Sequence, residues 1–249
     1  MKIVTYNLRF VYSKDGVNSF IHRAGLILDT IRDEQPDIIC FQETTDKNAD
    51  FLRRYLSPTY TVLLTQREKG LTGEGLTVAY RPEKVSLYGL EVFWLSPTPD
   101  VVASKFPGQS FHSRICQNLL FKDECSGKQF RLYNLHTEER SEDVRVLQME
   151  LVLDRYAKET VPTVLLGDLN SRADGRVAPL CKSRGLVDMT AHISHSFHGF
   201  GKYDHGIKLD YIFTDPETAQ KISNVHIWDT CLNGIYLSDH YPIAMELSL

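Results

Sequence analysis

Six short polar signatures punctuate the sequence: Thr5-Tyr6-Asn7, Phe41-Gln42-Glu43, Asn134-Leu135-His136, Gly167-Asp168-Leu169-Asn170, Leu209-Asp210-Tyr211 and Ser238-Asp239-His240. Most of them close an apolar, strand-like run. Strand ends are where an α/β protein gathers side chains from distant parts of its chain into one pocket. The gathered set would hold the amides Asn7 and Asn170, the carboxylates Glu43, Asp168, Asp210 and Asp239, and the imidazoles His136 and His240. Carboxylate oxygen suits a hard divalent cation, and imidazole beside carboxylate suits proton transfer.

The elements that must position these residues are legible in outline. Residues 3–8 read as a strand ending in Asn7 and Arg9. Phe20, Ala24, Ile27, Leu28 and Ile31 recur at helical spacing after Ser19, an expected N-cap, with Pro36 beyond the end. Residues 38–41 form a short apolar strand delivering Glu43. A helix over residues 45–56 and a strand over 60–64 follow. Residues 66–75, rich in glycine and charge, read as a mobile loop at the pocket rim. Strands are expected over residues 76–80 and 85–94, then a long irregular loop over 96–112 carrying Pro97, Pro99 and Pro107. A loop of that length in a compact protein is usually functional. Residues 114–121 and 129–135 form a hairpin through Ser126-Gly127. Ser141 caps a helix with Glu142 and Asp143 in its first turn, where the helix dipole favours anions. Residues 161–166 deliver Asp168, a short helix covers 177–184, and strands cover 208–213, 223–228 and 241–247. No repeat or linker divides the chain, so one domain over residues 1–249 is expected, of α/β class.

Composition narrows the setting. The chain has 249 residues, 42% hydrophobic and 24% charged, ordinary values for a soluble globular protein long enough to bury a large core. The net charge of −4 implies no strongly basic face for a nucleic acid backbone. Cys40, Cys116, Cys125, Cys181 and Cys231 form no C-x-x-C pair, which excludes the usual zinc spacings and gives no sign of a disulfide framework. Their odd number, the lack of a signal-like segment and the lack of an apolar run of roughly 20 residues point to a cytoplasmic protein with no membrane span. No obligate protein partner is evident.

Taken in order and spacing, the six signatures resemble the endonuclease/exonuclease/phosphatase superfamily, and the likeness runs from Lys2 to Leu247. The chain is most similar to bacterial members with a Phe-Trp-Leu-Ser stretch, here Phe93-Trp94-Leu95-Ser96. The resemblance implies a four-layer α/β sandwich, two packed mixed β-sheets flanked by helices as in DNase I-like proteins, with the site at one end between the sheets. It also implies that His136 pairs with Glu74, within a run (residues 74–85) similar to the family pattern. Asn-Leu-His replaces the frequent Asn-Thr-His, keeping the imidazole.

The remaining roles follow from residue chemistry. Glu43 is the foremost metal ligand, since Mg²⁺ or Mn²⁺ keeps several waters and needs one or two carboxylates. Asn7 adds or orients an oxygen, and Asp239 offers a second carboxylate. Asp168 deprotonates and aims a water at phosphorus, and Asn170 holds that water or a phosphate oxygen. Both face the same way if the strand continues past Asp168; the competing reading is a local Asp-Asn turn. His240 donates to the scissile phosphate or transfers a proton, and Asp210 fixes its tautomer. Arg114 before a strand suits either a phosphate clamp or a surface ion pair, and Trp94 and His198, within Phe197-His198-Gly199-Phe200, suit either a pocket lining or the core. His192, His195 and His205 fit no zinc spacing and read as loop residues.

The expected activity is metal-dependent hydrolysis of a phosphodiester or phosphomonoester by in-line attack of water. The substrate is a small molecule or a nucleic acid. Glu138 and Glu139 beside His136 suggest an acidic rim, and no Lys/Arg cluster borders a signature, so a compact ester is slightly preferred over DNA or RNA. A silent binding module on the same fold is the alternative of a different class; the intact set Glu43, Asp168, Asn170, Asp210 and His240 argues against it.

Overall fold

A computed structural model describes residues 1–70, 73–203 and 205–249. In chain order its elements are β1 (Lys2–Asn7), α1 (Phe20–Glu34), β2 (Ile38–Thr45), α2 (Asp46–Leu56), β3 (Thr61–Gln66), β4 (Glu74–Tyr80), β5 (Val85–Trp94), β6 (Ile115–Asp123), β7 (Gln129–His136), α3 (Glu142–Tyr156), β8 (Thr163–Asp168) and α4 (Val177–Ser183). Then come β9 (Val187–Asp188), β10 (Asp210–Thr214), α5 (Pro216–Ala219), β11 (Ile222–Ile227), β12 (Cys231–Leu232), β13 (Ile235–Tyr236) and β14 (Ile243–Leu247).

Two six-stranded mixed sheets carry the fold, ordered β11-β14-β1-β2-β4-β3 and β5-β6-β7-β8-β10-β9. Each has one parallel pair near its centre, β1–β2 and β7–β8, and is otherwise antiparallel. Strands buried on both faces explain why β1 and β8 read as continuous apolar runs. Alternate residues still divide between layers. Ile3, Ile38, Cys40, Leu132, Leu166 and Ile243 pack between the sheets. Val4, Tyr6, Ile39 and Phe41 face α1 through Ile27 and Ile31. Tyr133 and Leu165 face α3 through Met149 and Val152. The result is helix, sheet, sheet, helix, as the resemblance implied. Truncating a fully buried residue such as Leu166 to Ala is expected to cost about 2–5 kcal/mol.

Local sequence chemistry sets the element ends. Thr45 and Asn48 cap α2 reciprocally, with the Thr45 side chain accepting from Asn48 N, and Ser141 Oγ accepts from Val144 N at 3.3 Å to start α3. Ser19 precedes α1 as expected, but its hydroxyl makes no capping bond. The expected rim loop over residues 66–75 is shorter than its composition suggests. Gln66 pairs with Gly75, and Glu74 pairs with Thr45, so Glu74 and Gly75 belong to β4. Ladder pairing on both flanks outweighs the local glycine content there. Leu71 and Thr72 of that stretch, and Asp204, lie outside the described residues.

Topology accounts for the site's position. In a parallel pair both carboxyl ends lie at one edge, so Asn7 and Glu43 emerge together, as do His136 and Asp168. Asp210 opens β10, antiparallel to β8, directly opposite Asp168, and His240 precedes β14, antiparallel to β1. All the signatures therefore meet at one end of the sandwich. Beneath them a buried amide chain ties the sheets: Gln42 Nε2 donates to Asn134 Oδ1 at 2.8 Å, and Asn134 Nδ2 donates to Gln117 Oε1 at 2.9 Å.

Candidate active site

Glu43 sits on a bulge of β2, where the register with β4 slips between Phe41 and Thr44. Its φ of +57° is unusual for a residue with a side chain, a conformation that surrounding contacts must sustain. The carboxylate accepts from Asn7 Nδ2 at 3.1 Å and from Phe10 N at 3.2 Å. Burial opposes ionisation, but Arg9, His240 and these hydrogen bonds outweigh it and hold the Glu43 pKa below its ordinary value.

His136 and Asp168 are register partners across β7–β8. Gly167, just before Asp168 and opposite Leu135, is required, because a Cβ there would lie 2.0 Å from the Leu135 carbonyl oxygen. Asp168 Oδ2 is the hub of the cluster. It lies 2.9 Å from Asn7 Nδ2, 3.6 Å from His136 Nε2 and 3.8 Å from His240 Nε2. Its Oδ1 accepts from Asn170 N at 2.8 Å. The strand does not continue to Asn170, which has φ +45°. A turn, not a shared pleat, brings the Asn170 amide within 2.9 Å of His136 Nε2 and 3.1 Å of the Thr137 carbonyl. The local Asp-Asn turn is thus real, and both side chains still converge on His136.

Asp210 Oδ2 lies 2.7 Å from His240 Nδ1. Ser196 Oγ accepts from Leu209 N and Asp210 N, both at 3.0 Å, and anchors the start of β10. Burial works against a charged His240, but Asp210, then Asp168 and Asp239, outweigh it and raise the pKa to about 10. His136 goes the other way: burial, then Arg114 and Arg67, push it well below the usual range. One imidazole is therefore cationic near neutral pH and the other neutral. Asp168 is pushed up to about 7 by burial and by Asp210, and burial also raises Asp239, whose Oδ2 lies 3.6 Å from Arg9 Nε.

The carboxylates Glu43, Asp168, Asp210 and Asp239 thus crowd one small volume. Two sets, Glu43–His136–Asp168 and Asp168–Asp210–His240, present ligand atoms within 4.8 Å of one another. Oxygen-rich donors with negative charge in excess fit a divalent cation. Carboxylates and imidazoles so arranged equip the chain for metal-dependent hydrolysis of phosphate esters.

The other expected residues fall around this cluster. Glu74 makes an ion pair with Arg67 Nη2 at 2.9 Å, and among the described residues no hydrogen bond joins it to His136. Burial and the nearby Glu43 raise its pKa. Arg114 is buried at the wall beside His136. Trp94 donates its indole N–H to the Arg67 carbonyl at 2.7 Å, so it braces the rim and has no N–H free for a ligand. The His198 ring stacks on Tyr241 at 4.0 Å, its Nδ1 accepts from Gly201 N, and its backbone N–H donates to the Asp239 carbonyl. The acidic rim is thinner than the sequence suggests. The chain turns inward after β7, and buried Glu138 accepts from Ser110 Oγ at 2.8 Å and Arg140 N at 3.0 Å, leaving Glu139 exposed.

Nothing in the sequence marks Arg67 or Ser196 as part of the site. Arg9 alone had a sequence cue, two residues beyond Asn7. The sequence shows no Lys/Arg cluster beside a signature, yet Arg9, Arg67 and Arg114 all reach the site by folding.

A solved endonuclease/exonuclease/phosphatase from Bacteroides vulgatus is 26% identical, with TM-score 0.89 over 100% of this chain and 98% of that one. A mannosyl-6-phosphatase of Bacteroides thetaiotaomicron, 24% identical with TM-score 0.85 over 100% of both chains, shares the fold. Among curated proteins, the uncharacterized protein L388 of Acanthamoeba polyphaga mimivirus is 25% identical across 98% of this chain and 99% of its own length. The family model described as Endonuclease/Exonuclease/phosphatase family matches residues 4–240, and the chain belongs to that family.

Proposed function

We propose that the chain is a Mg²⁺- or Mn²⁺-dependent phosphoesterase that hydrolyses a compact phosphate ester, with residues 1–249 acting as one unit because both sheets supply the site. The observation that carries this reading is the position of Asp168 Oδ2 between Asn7, His136 and His240. Glu43, Asp239 and the Asn7 amide would hold the cation, which supplies charge neutralisation on the phosphoryl oxygens. Asp168 takes a proton from water as the water oxygen bonds to phosphorus. The ester P–O bond breaks in line, and the leaving oxygen takes a proton from solvent. Protonated His240, oriented by Asp210, donates to a non-bridging oxygen. Neutral His136, held by Asn170, orients the water. No covalent intermediate forms.

Compactness of the substrate is supported by the wall on one side of the cleft. Ser113 Oγ and Trp94 Nε1 both donate to the Arg67 carbonyl, at 2.6 and 2.7 Å, which fixes the end of the 96–112 loop against the segment after β3. The net charge of −4 also disfavours a long polyanion. We place the protein in the cytoplasm, supported by its free cysteines. No helix among the described residues is long and apolar enough to cross a membrane. The test is a side-by-side rate comparison with Mg²⁺ on sugar phosphates, nucleotides, lipid head-group esters and plasmid DNA. Efficient salt-sensitive nicking of plasmid with no turnover of small esters would replace this reading by a nuclease.

A further inference from the structure

Two buried arginines stand at the wall of the cleft with donors left over. Arg114 is 2% exposed and Arg67 4%. Among the described residues, Arg114 Nε and Nη1 and Arg67 Nε have no hydrogen-bond partner. The carboxylates nearby are already committed. Glu74 is paired with Arg67 Nη2, Glu138 with Ser110 Oγ and Arg140 N, and Glu68 accepts from Ser113 N at 2.7 Å. A buried charged donor without a partner costs more than a satisfied one gains, so a fold keeps such a pair where a ligand completes it.

Both backbones are anchored, and Glu74 holds the Arg67 guanidinium at 2.9 Å. The Arg67 carbonyl is pinned by Trp94 and Ser113, and Arg114 immediately precedes β6. The two guanidinium groups press on His136 and on each other: burial, then Arg67, lowers the Arg114 pKa. The β6–β7 ladder sets Cys116 opposite Leu135, so Arg114 stands at the end of β6 beside the end of β7 that bears His136, and Ser113 Oγ ties the Arg67 carbonyl to that same end.

We infer that Arg67 and Arg114 form a second anion subsite, and that the substrate is a compact phosphate ester carrying a second anionic group, a phosphate or carboxylate, besides the scissile one. The inference rests on the reading of the Asp168 cluster as the hydrolytic centre. Planar guanidinium groups match the oxygens of such an anion in paired hydrogen bonds. A neighbouring phosphate of a nucleic acid strand offers the same chemistry, but the braced wall and the net charge of −4 favour the small molecule.

The test has a binding arm and a kinetic arm. Sulfate is titrated calorimetrically into the metal-free protein in EDTA, where the acidic cluster repels anions. Wild type is expected to bind it, Arg114→Gln to bind it at least tenfold more weakly, and Arg114→Lys to keep part of the affinity. Arg114→Gln should melt no lower than wild type, because it removes an unpartnered buried charge. A lower melting point with sulfate affinity unchanged would make Arg114 structural and overturn the inference, as would a wild type that binds no sulfate. In the kinetic arm, with Mg²⁺, the kcat/KM ratio of fructose 1,6-bisphosphate to fructose 6-phosphate should be about tenfold or more in wild type and fall towards one in Arg114→Gln. Equal losses on both esters would assign the arginines to the scissile phosphate. Preference for a short oligonucleotide over the bisphosphate would replace the small dianion by a nucleic acid. If no ester turns over, the hydrolytic reading falls, while the sulfate titration still decides the anion subsite.

Discussion

Asp210 Oδ2 accepts a hydrogen bond from His240 Nδ1 at 2.7 Å, and this contact turns His240 Nε2 towards Asp168 Oδ2, 3.8 Å away. One carboxylate fixes the tautomer and charge of the imidazole, while the other shares the space in which a substrate oxygen would lie. The same arrangement keeps His240 protonated across the neutral range.

His240→Ala should therefore lower kcat by roughly two or more orders of magnitude, the usual scale for a lost charge-stabilising or acid–base group. Asp210→Asn should act through His240. Steady-state kinetics of the double variant should show little further loss beyond His240→Ala. Multiplying losses would mean that the two residues work separately.

Asp168→Asn should lower turnover on a similar scale, about a hundredfold or more, and stabilise the metal-free protein at alkaline pH. The sign follows from linkage. The folded pKa of Asp168, about 7, lies above its ordinary value of 3.8, so the folded state binds the proton more tightly. Its contribution is most favourable below the ordinary value and declines as pH rises towards about 7. Thermal melting in EDTA at pH 8 should place the variant above wild type, by about 2–4 °C for each kcal/mol recovered. A lower melting temperature would show that the Asn7 and Asn170 contacts matter more than the buried charge.

The pH–rate profile should rise as Asp168 ionises and fall as His240, whose pKa is lowered by burial but raised on balance by Asp210, Asp168 and Asp239, loses its proton. A bound cation moves the acid limb below about 7 by favouring the Asp168 carboxylate. An alkaline limb that persists unchanged in His240→Ala would assign it to another group.

Chelation should abolish hydrolysis, and Mg²⁺ or Mn²⁺ should restore it. Glu43→Gln should weaken calorimetric metal binding at least tenfold, in line with about 1–3 kcal/mol for a lost charge-assisted contact. Its circular dichroism should stay native, since the single amide oxygen of Gln keeps one of the two hydrogen bonds from Asn7 Nδ2 and Phe10 N and the loss of the other costs only about 1–3 kcal/mol. Full turnover in a metal-free preparation would contradict both the cation site and the role given to Glu43.

The α/β class, the strand ends that bear Asn7, Glu43, His136, Asp168, Asp210 and His240, and the helices begun at Thr45 and Ser141 are legible in the order of residues. These depend on apolar periodicity and capping, which act over a few residues. What stands beside what is set by long-range packing. The parallel pairs β1–β2 and β7–β8 bring four signatures to one edge, and register puts Asp210 opposite Asp168. Local glycine content pointed to a loop at Glu74, where ladder pairs with Thr45 and Gln66 on either side make strand. Charge was still less legible. Arg67 and Arg114 are 47 residues apart in sequence and face one wall, and Glu138 looks like rim but is buried on Ser110. Such placements depend on side-chain direction and on long-range packing, and neither leaves a mark in the local order of residues.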